Sequence, residues 1–235
     1  MSTAACPTFI RCAGLALAAS CSHAVAHADE ARSTVEVGYA GIFFNTRSGE
    51  LAGPPGTTPP GATAKVVNSR TLALTYEYQV AGPWSILAQM GLPPFLRFDG
   101  DGTAAVLGRV GTARAWIPAV LAVRSFDGLA WIQPYLGAGL NYTFYTDRRI
   151  TAGYTAAFGG TSSTSSLKNS LGPVAKIGFK VPVAQGWLVD LAYSHYWIKT
   201  TARISTDTPG AGVIERRIGI KGDPDVLALT VGYRF

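Results

Sequence analysis

Hydrophobic and polar side chains alternate along several segments of the chain, most clearly over the last eleven residues, 225–235. One parity of this segment is wholly apolar, while the other is small or polar and ends at Arg234. The apolar parity consists of Leu227, Leu229, Val231, Tyr233 and Phe235. Because successive side chains of a strand point to opposite faces, the pattern predicts a β-strand whose apolar face ends on an aromatic residue.

The same alternation predicts eight strands in all, separated by connections of two kinds. The predicted strands are residues 34–45, 66–80, 84–92, 115–126, 131–145, 170–182, 187–201 and 225–235. Short turns are predicted at Ala81-Gly82-Pro83, Asp127-Gly128 and Ala184-Gln185-Gly186. The remaining connections are rich in Gly, Pro, Ser and Thr, and we predict long loops there, at residues 46–65, 93–113, 146–169 and 202–220.

Long and short connections alternate strictly, so every second connection lies on the same side of the sheet. This layout predicts an all-β fold, an eight-stranded antiparallel transmembrane up-and-down β-barrel. Bacterial outer-membrane barrels have short periplasmic turns, longer extracellular loops and an even number of strands. A soluble β-sandwich is the alternative, and it predicts no such alternation in connection length. Aromatic residues near the short turns and the C-terminus are expected to form a periplasmic girdle, namely Trp84, Trp131, Trp187, Tyr233 and Phe235.

The first 28 residues have the features of a cleaved secretory signal peptide. One positive charge precedes an apolar segment, and Ala26-His27-Ala28 fits the small-x-small cleavage pattern. A membrane anchor is disfavoured because the apolar segment is well short of ~20 residues. A lipoprotein signal at Cys21 is the other alternative, disfavoured by Ala18 where leucine is usual. We therefore predict a signal peptide at 1–28 and a single barrel domain at 29–235, located in the outer membrane.

Composition agrees with a secreted membrane barrel. Hydrophobic residues make up 48% and charged residues 14% of the chain, and the formal net charge is +6. No segment after the leader is apolar for ~18 residues, so no transmembrane helix is predicted. The cysteines, Cys6, Cys12 and Cys21, all precede the predicted cleavage site. The mature chain is thus expected to lack disulfides, thiolate metal sites and a cysteine nucleophile.

Three motifs resemble the OmpW family of outer-membrane barrels. They are Pro134-Tyr-Leu-Gly-Ala-Gly-Leu-Asn-Tyr142, Ile198-Lys-Thr-Thr-Ala202, and Asp223-Pro224 followed by Val231-Gly-Tyr-Arg-Phe235. The resemblance covers residues 33–235 and implies passive passage of small hydrophobic compounds, as in the alkane-uptake branch of the family. The segment 46–65 is richer in Pro and Gly than that family leads us to expect. Tyr233 and Phe235 resemble the assembly signal that the barrel-assembly machinery recognises, so this machinery is an expected partner.

Charged residues of the inward parity concentrate near the predicted periplasmic end. These residues are Glu36, Glu77, Arg124, Lys180, Asp190 and Arg234, with Lys176 slightly higher. The interior of an eight-stranded barrel is narrow enough for side chains to fill it. Buried opposite charges are tolerated when they satisfy one another, so we predict a charged plug that seals the floor. The alternative is that these charges only fill a narrow barrel and have no part in transport.

Toward the predicted extracellular end the inward parity becomes apolar. The expected lining of a hydrophobic funnel is Ile42, Phe44, Pro118, Tyr196 and Ile198. A hydrophobic solute could enter from outside but could not leave through charged pairs, so we expect it to exit sideways into the bilayer. Proline lacks a backbone donor, and the candidate weak points of the wall are Pro93, Pro94, Pro118 and Pro173.

Other functions are disfavoured by the placement of the chemically active residues. Ser194 and His195 are adjacent on a predicted strand and face opposite sides, so they cannot form a hydrolase dyad. We therefore expect no enzyme activity, no cofactor and no metal. The arginine pairs 148–149 and 216–217 fall in predicted loops, where lipopolysaccharide phosphates are possible partners, along with outer-membrane lipids and small hydrophobic solutes. No nucleic-acid partner is expected. A structural or receptor barrel without transport remains the open alternative.

Overall fold

The computed structural model describes residues 32–126 and 131–235, and most of them lie in strands. The strands are β1 (Ser33–Phe44), β2 (Arg47–Ser48), β3 (Ala62–Val66), β4 (Ser69–Ala81), β5 (Trp84–Gly91), β6 (Phe95–Gly102), β7 (Arg109–Trp116), β8 (Ala119–Ser125), β9 (Gln133–Ile150), β10 (Ser162–Leu167), β11 (Ser170–Ala184), β12 (Trp187–Tyr196), β13 (Lys199–Thr208), β14 (Gly212–Lys221) and β15 (Pro224–Arg234). A 3-10 helix (Thr103–Leu107) precedes β7, and a short helix, α1 (Ala152–Ala157), precedes β10. No helix in this part of the chain is long and apolar enough to span a membrane.

Eight of these strands form a closed antiparallel barrel, as the sequence predicts. The ring runs β1, β4, β5, β8, β9, β11, β12 and β15, and β15 pairs with β1 to complete it. The register places Val37 of β1 opposite Val231 on one side and Leu74 on the other. Gly82 and Gly186 have positive φ in two of the short turns, a conformation that glycine adopts without steric cost. The predicted turn at 127–128 and the predicted signal peptide lie outside the described residues.

The outer face of the barrel is apolar, in agreement with the predicted parity of the strands. Large hydrophobic side chains that are about half exposed there include Val37, Tyr39, Leu72, Leu74, Ile86, Leu136, Leu140, Ile177, Leu227, Leu229 and Val231. A contiguous apolar surface of this extent is a liability in water and is what a lipid bilayer requires.

The other strands form an extension beyond the barrel, on the side opposite the short turns. Strands β3, β6 and β7 continue the sheet along the upper part of β9, and β10, β13, β14 and β2 form a second sheet. The prediction of irregular loops at 46–65, 93–113, 146–169 and 202–220 is therefore wrong. Strand pairing uses backbone hydrogen bonds, so a Ser- and Thr-rich segment such as β10 can form a strand by pairing with β13.

Seven barrel strands are interrupted where the barrel meets the extension, and β9 continues through. The interruptions lie at residues 45–46, 67–68, 92–94, 117–118, 168–169, 197–198 and 222–223. Buried apolar side chains separate into an upper cluster in the extension, which includes Phe98 and Ile218, and a lower cluster in the barrel, which includes Leu121 and Val174. Ile117, at one of the interruptions, packs against both clusters.

Candidate functional site: the barrel interior

Five buried ionisable side chains close the barrel near its short turns, and we call them the charged floor. Their residues are Glu36, Glu77, Lys176, Lys180 and Asp190, none more than 8% exposed. They come from β1, β4, β11 and β12, whose inward parity places them across the narrow interior.

Lys180 is the centre of the charged floor. Its Nζ lies 3.0 Å from Glu36 Oε1 and also contacts Glu77 Oε2. Thr230 Oγ1 donates to Glu36 Oε2 at 3.0 Å, and Ser85 Oγ donates to Glu77. One lysine is thus shared by two carboxylates, and neighbouring hydroxyls also stabilise these carboxylates, so each buried charge has a partner.

Tyr135 links Asp190 to Lys180 within the charged floor. Its hydroxyl donates to Asp190 Oδ2 at 2.8 Å, and its ring lies 5.4 Å from Lys180 Nζ. A Cβ at Gly178 would lie 2.5 Å from the Tyr135 hydroxyl oxygen, so glycine makes room for the phenol. Lys176 Nζ donates to Gln89 Oε1 at 3.2 Å.

The sequence prediction missed the polar partners Ser85, Gln89, Tyr135 and Thr230. It considered only charged residues, although the inward parity of their strands carries the signal for all four.

Of the other two predicted plug residues, Arg124 lies elsewhere, whereas Arg234 lines a turn-side cavity together with Glu77 and Lys180. Arg124 is on the outer face of β8, where its guanidinium lies 5.6 Å from the Trp84 ring centroid and 5.4 Å from that of Phe126. The inward positions of β8 include Leu121 and Val123. Both parities of this strand are mostly apolar, so alternation gave no basis for assigning its faces. Arg234 is half-buried at the turn-side opening and donates to Gln133 Oε1 at 3.4 Å.

An apolar cavity, here named the barrel cavity, lies above the charged floor. Ile42 and Tyr196 line it, as do Lys176 and Asp190 of the floor. Ile198 is buried in the lower cluster, and Phe44 is half-buried against the upper cluster. At the fourth predicted strand the lining residue is Ile117 rather than Pro118.

A second apolar cavity, the outer cavity, lies in the extension. It is lined by Leu51, Ala62, Phe98, Val110, Tyr154, Phe158, Ile204 and Ile218, among others. The outer cavity and the barrel cavity share no lining residue. A solute that passed from one to the other would have to displace side chains between them.

The wall beside the barrel cavity has a gap in its backbone ladder. Leu92 N donates to Leu72 O at 2.9 Å, and the next backbone–backbone bond along this seam runs from Val67 N to Arg97 O at 3.0 Å. Between them, among the described residues, only side chains of β4 donate across the seam, Thr71 Oγ1 to Leu92 O and Ser69 Oγ to Phe95 O. Pro93 and Pro94 between them have no N–H to donate. On the other side of β5 the ladder stops at Gln89 opposite Ala119 and resumes at the bond from Ala115 N to Pro94 O. Pro118 borders this second break.

Met90 and Leu92, which face outward and are exposed, also line the barrel cavity. The cavity therefore reaches the wall of the barrel beside the gap.

The side chains of Ser194 and His195 face opposite sides of the wall, as the sequence predicts. Ser194 is buried inside, whereas His195 Nδ1 lies 2.7 Å from Asp225 Oδ1 on the outer side. Among the extension arginines, Arg148, Arg149 and Arg217 are exposed. Arg216 is only 2% exposed and lies in β14, so the prediction of a loop position is wrong for it.

The chain's C-terminal residues complete the ring at the turn side. Phe235 N donates to Ser33 O at 2.8 Å, and the Tyr233 ring packs edge-on against Trp187 with centroids 5.3 Å apart. The role of Tyr233 and Phe235 as an assembly signal remains a prediction.

A closed antiparallel barrel of eight strands with an apolar outer face defines an outer-membrane β-barrel protein. The family model described as "OmpW family" matches residues 31–235, so the chain belongs to the OmpW family. This confirms the resemblance that the three motifs indicated, and with it the location in the outer membrane.

The relatives agree with this assignment. Outer membrane protein W of Escherichia coli is 29% identical over 203 residues, which cover 83% of this chain and 89% of that protein. The dibenzothiophene metabolism operon protein PahQ of Pseudomonas aeruginosa is 23% identical, covering 88% and 90%. Among solved structures, outer membrane protein OprG from Pseudomonas aeruginosa is 26% identical with a TM-score of 0.76, covering 87% of this chain and 96% of that one.

Proposed function

We propose that the protein allows passive uptake of small hydrophobic molecules, which enter from outside and leave laterally into the membrane. The observation that carries the proposal is the barrel cavity, which is apolar, closed below by the charged floor and bordered by the wall at the gap beside Pro93 and Pro94. A charged floor opposes downward passage of an apolar solute because such a solute cannot replace the ion pairs. The name of PahQ, which links that relative to dibenzothiophene metabolism, supports a hydrophobic solute.

Uptake of a labelled alkane or small aromatic by cells with and without the protein tests the proposal. We expect Ile42→Asp to lower uptake several-fold. An apolar solute in the barrel cavity would have to remove water from the unpaired carboxylate, which raises the free energy of passage. Val213→Asp is the matched control because Val213 is 70% exposed in the extension. Uptake equal to wild type in a fully inserted Ile42→Asp variant would refute the proposed route.

The lateral step has its own test at the gap. Leu92 O accepts from Thr71 Oγ1 of β4, and the C=O and N–H of one trans peptide point in opposite directions, so Pro93→Val restores a donor that points away from β4, toward the second break. We expect this donor to help close the wall there, which slows uptake without reducing insertion. Pro173→Val is the control, because the Pro173 carbonyl already accepts bonds from Trp197 N at 3.2 Å and Asn141 Nδ2 at 2.9 Å in a closed wall. Equal rates in both variants would contradict lateral exit at this gap.

A structural or receptor barrel without transport is the second candidate. The observation that favours it is that the outer cavity and the barrel cavity share no lining residue. Wild-type cells that take up no more labelled solute than cells without the protein would support this candidate.

A further inference from the structure

Arg216 is an arginine among isoleucines on the inward face of β14. Its neighbours on that face are Ile214 and Ile218, and only 2% of Arg216 is exposed. Arginine keeps its positive charge under all ordinary conditions, so this buried charge requires a compensating partner.

The described residues compensate Arg216 only in part. Its Nε donates to Thr57 O at 3.0 Å, and its guanidinium carbon lies 4.3 Å from the Phe158 ring centroid. No acidic side chain in the described part of the chain forms an ion pair with it, and the buried Nη1 has no hydrogen-bond partner.

A second orphaned donor lies beside the first. The Tyr154 hydroxyl is buried beside Arg216, whose positive charge and hydrogen bond both lower its pKa, but no described residue accepts the hydroxyl's own proton. Burial raises the pKa of Tyr154 to about 12 even though the Arg216 charge lowers it, so the phenol keeps its proton at neutral pH. Two buried donors, Arg216 Nη1 and the Tyr154 O–H, therefore belong to neighbouring side chains, and neither has an acceptor among the described residues.

The space around these donors is amphiphilic. Tyr154 and Phe158 line the apolar outer cavity, while Arg216 and Phe158 line a surface groove with Thr57, Thr58 and Val106. Val106 is 91% exposed, so the groove reaches solvent. Arg216 thus lies in an open groove that adjoins the apolar outer cavity at Phe158.

The Pro- and Gly-rich segment 46–65 forms one side of this site. A Cβ on Gly53 would lie 3.1 Å from Arg216 Cγ and 2.9 Å from Thr57 Oγ1, so glycine lets the chain pass close over the arginine stem. The segment that departs from the family pattern in composition is therefore the one that covers Arg216.

We propose that the outer cavity binds small amphiphilic carboxylates. The carboxylate accepts hydrogen bonds from Arg216 Nη1 and the Tyr154 hydroxyl, and the apolar body packs against the outer-cavity wall. Charge-assisted bonds from arginine suit a carboxylate, and the depth of the site favours a small head group over lipopolysaccharide phosphates. The proposal names a solute class for the uptake function and rests on that function for its physiological role, but binding is measured independently of uptake.

Titration calorimetry on the full chain in lipid nanodiscs, with empty nanodiscs subtracted, tests the site. The probes are octanoate, octylammonium, 1-octanol and inorganic phosphate at pH 7.5. We expect saturable binding of octanoate to the wild type. The other three probes should bind at least about tenfold more weakly than octanoate, because each lacks either the carboxylate or the apolar body. Octanol binding equal to octanoate, or phosphate binding equal to octanoate, would overturn the proposal.

Variants distinguish this site from a structural arginine. Arg216→Met should weaken octanoate binding about tenfold or more, and Tyr154→Phe several-fold. Arg217→Met is the matched control, since Arg217 is the adjacent, exposed arginine paired with Glu215 at 2.9 Å. Octanoate binding unchanged by both Arg216→Met and Tyr154→Phe would refute the site. Should Arg216→Met fail to insert, Tyr154→Phe alone decides the question, and alkane uptake separately decides the transport function.

Discussion

At the scale of single residues, Lys180 has the largest electrostatic role in the barrel. It is 3% exposed and contacts two carboxylates, Glu36 and Glu77. Lys180→Met would leave both acids buried without their cation, so we expect a loss of about 3–5 kcal/mol in unfolding free energy. Urea unfolding in lipid vesicles, followed by tryptophan fluorescence, measures it.

Lys65→Met is the control for this loss. Lys65 pairs with Asp101 at 3.9 Å, and both side chains are more than half exposed. Exposed pairs contribute about 0–1 kcal/mol, so the variant should unfold close to wild type. Similar midpoints for the Lys180 and Lys65 variants would show that the charged floor does not stabilise the barrel as described.

At the scale of elements, β15 joins the two ends of the described barrel. It pairs with β1 and β12, and Phe235 exchanges backbone bonds with Ser33. Deleting Phe235 should lower the fraction of heat-modifiable barrel on a gel, because the apolar parity then ends at Tyr233. Phe43→Ala removes an equally exposed outward phenylalanine from β1 and is expected to insert normally. Undiminished insertion after the deletion would count against the assembly signal.

The arrangement of elements also places the prolines at neighbouring breaks in the barrel wall. Pro93 and Pro94 lie between β5 and β6, and Pro118 lies between β7 and β8. In sequence they are more than twenty residues apart, yet they border neighbouring breaks in the ladder beside one cavity.

At the scale of the whole molecule, the charged floor and the narrow ring predict low ion conductance. The five floor residues and Tyr135 occupy the interior of an eight-stranded barrel, which is only wide enough for side chains. In planar bilayers we expect small or rare current steps, with a porin of larger strand number as the positive control. Steady, large currents in most insertions would show that the floor is open.

The sequence by itself determined the barrel. Period-two alternation placed the eight membrane strands, and the parity of β1, β4, β11 and β12 put Glu36, Glu77, Lys176, Lys180 and Asp190 inside. Alternation is sufficient to locate these strands because each strand of a membrane barrel must present an apolar face to the lipid. The motif at 134–142 follows the same alternation, since Tyr135 and Asn141 are buried inward residues of β9.

Only the tertiary structure decided what lies outside the membrane band and at the breaks. Strands such as β10 and β13 are built by backbone pairing between segments distant in sequence, so their polar side chains gave no local signal. On β8 both faces are apolar, and only its neighbours show that Leu121 points in and Arg124 out. Arg216 looked like a loop charge until pairing of β13 with β14 turned it inward beneath the segment 46–65. In each case the deciding contact joins residues far apart in the chain. The alternation of side chains along one strand does not indicate which distant segment that strand pairs with.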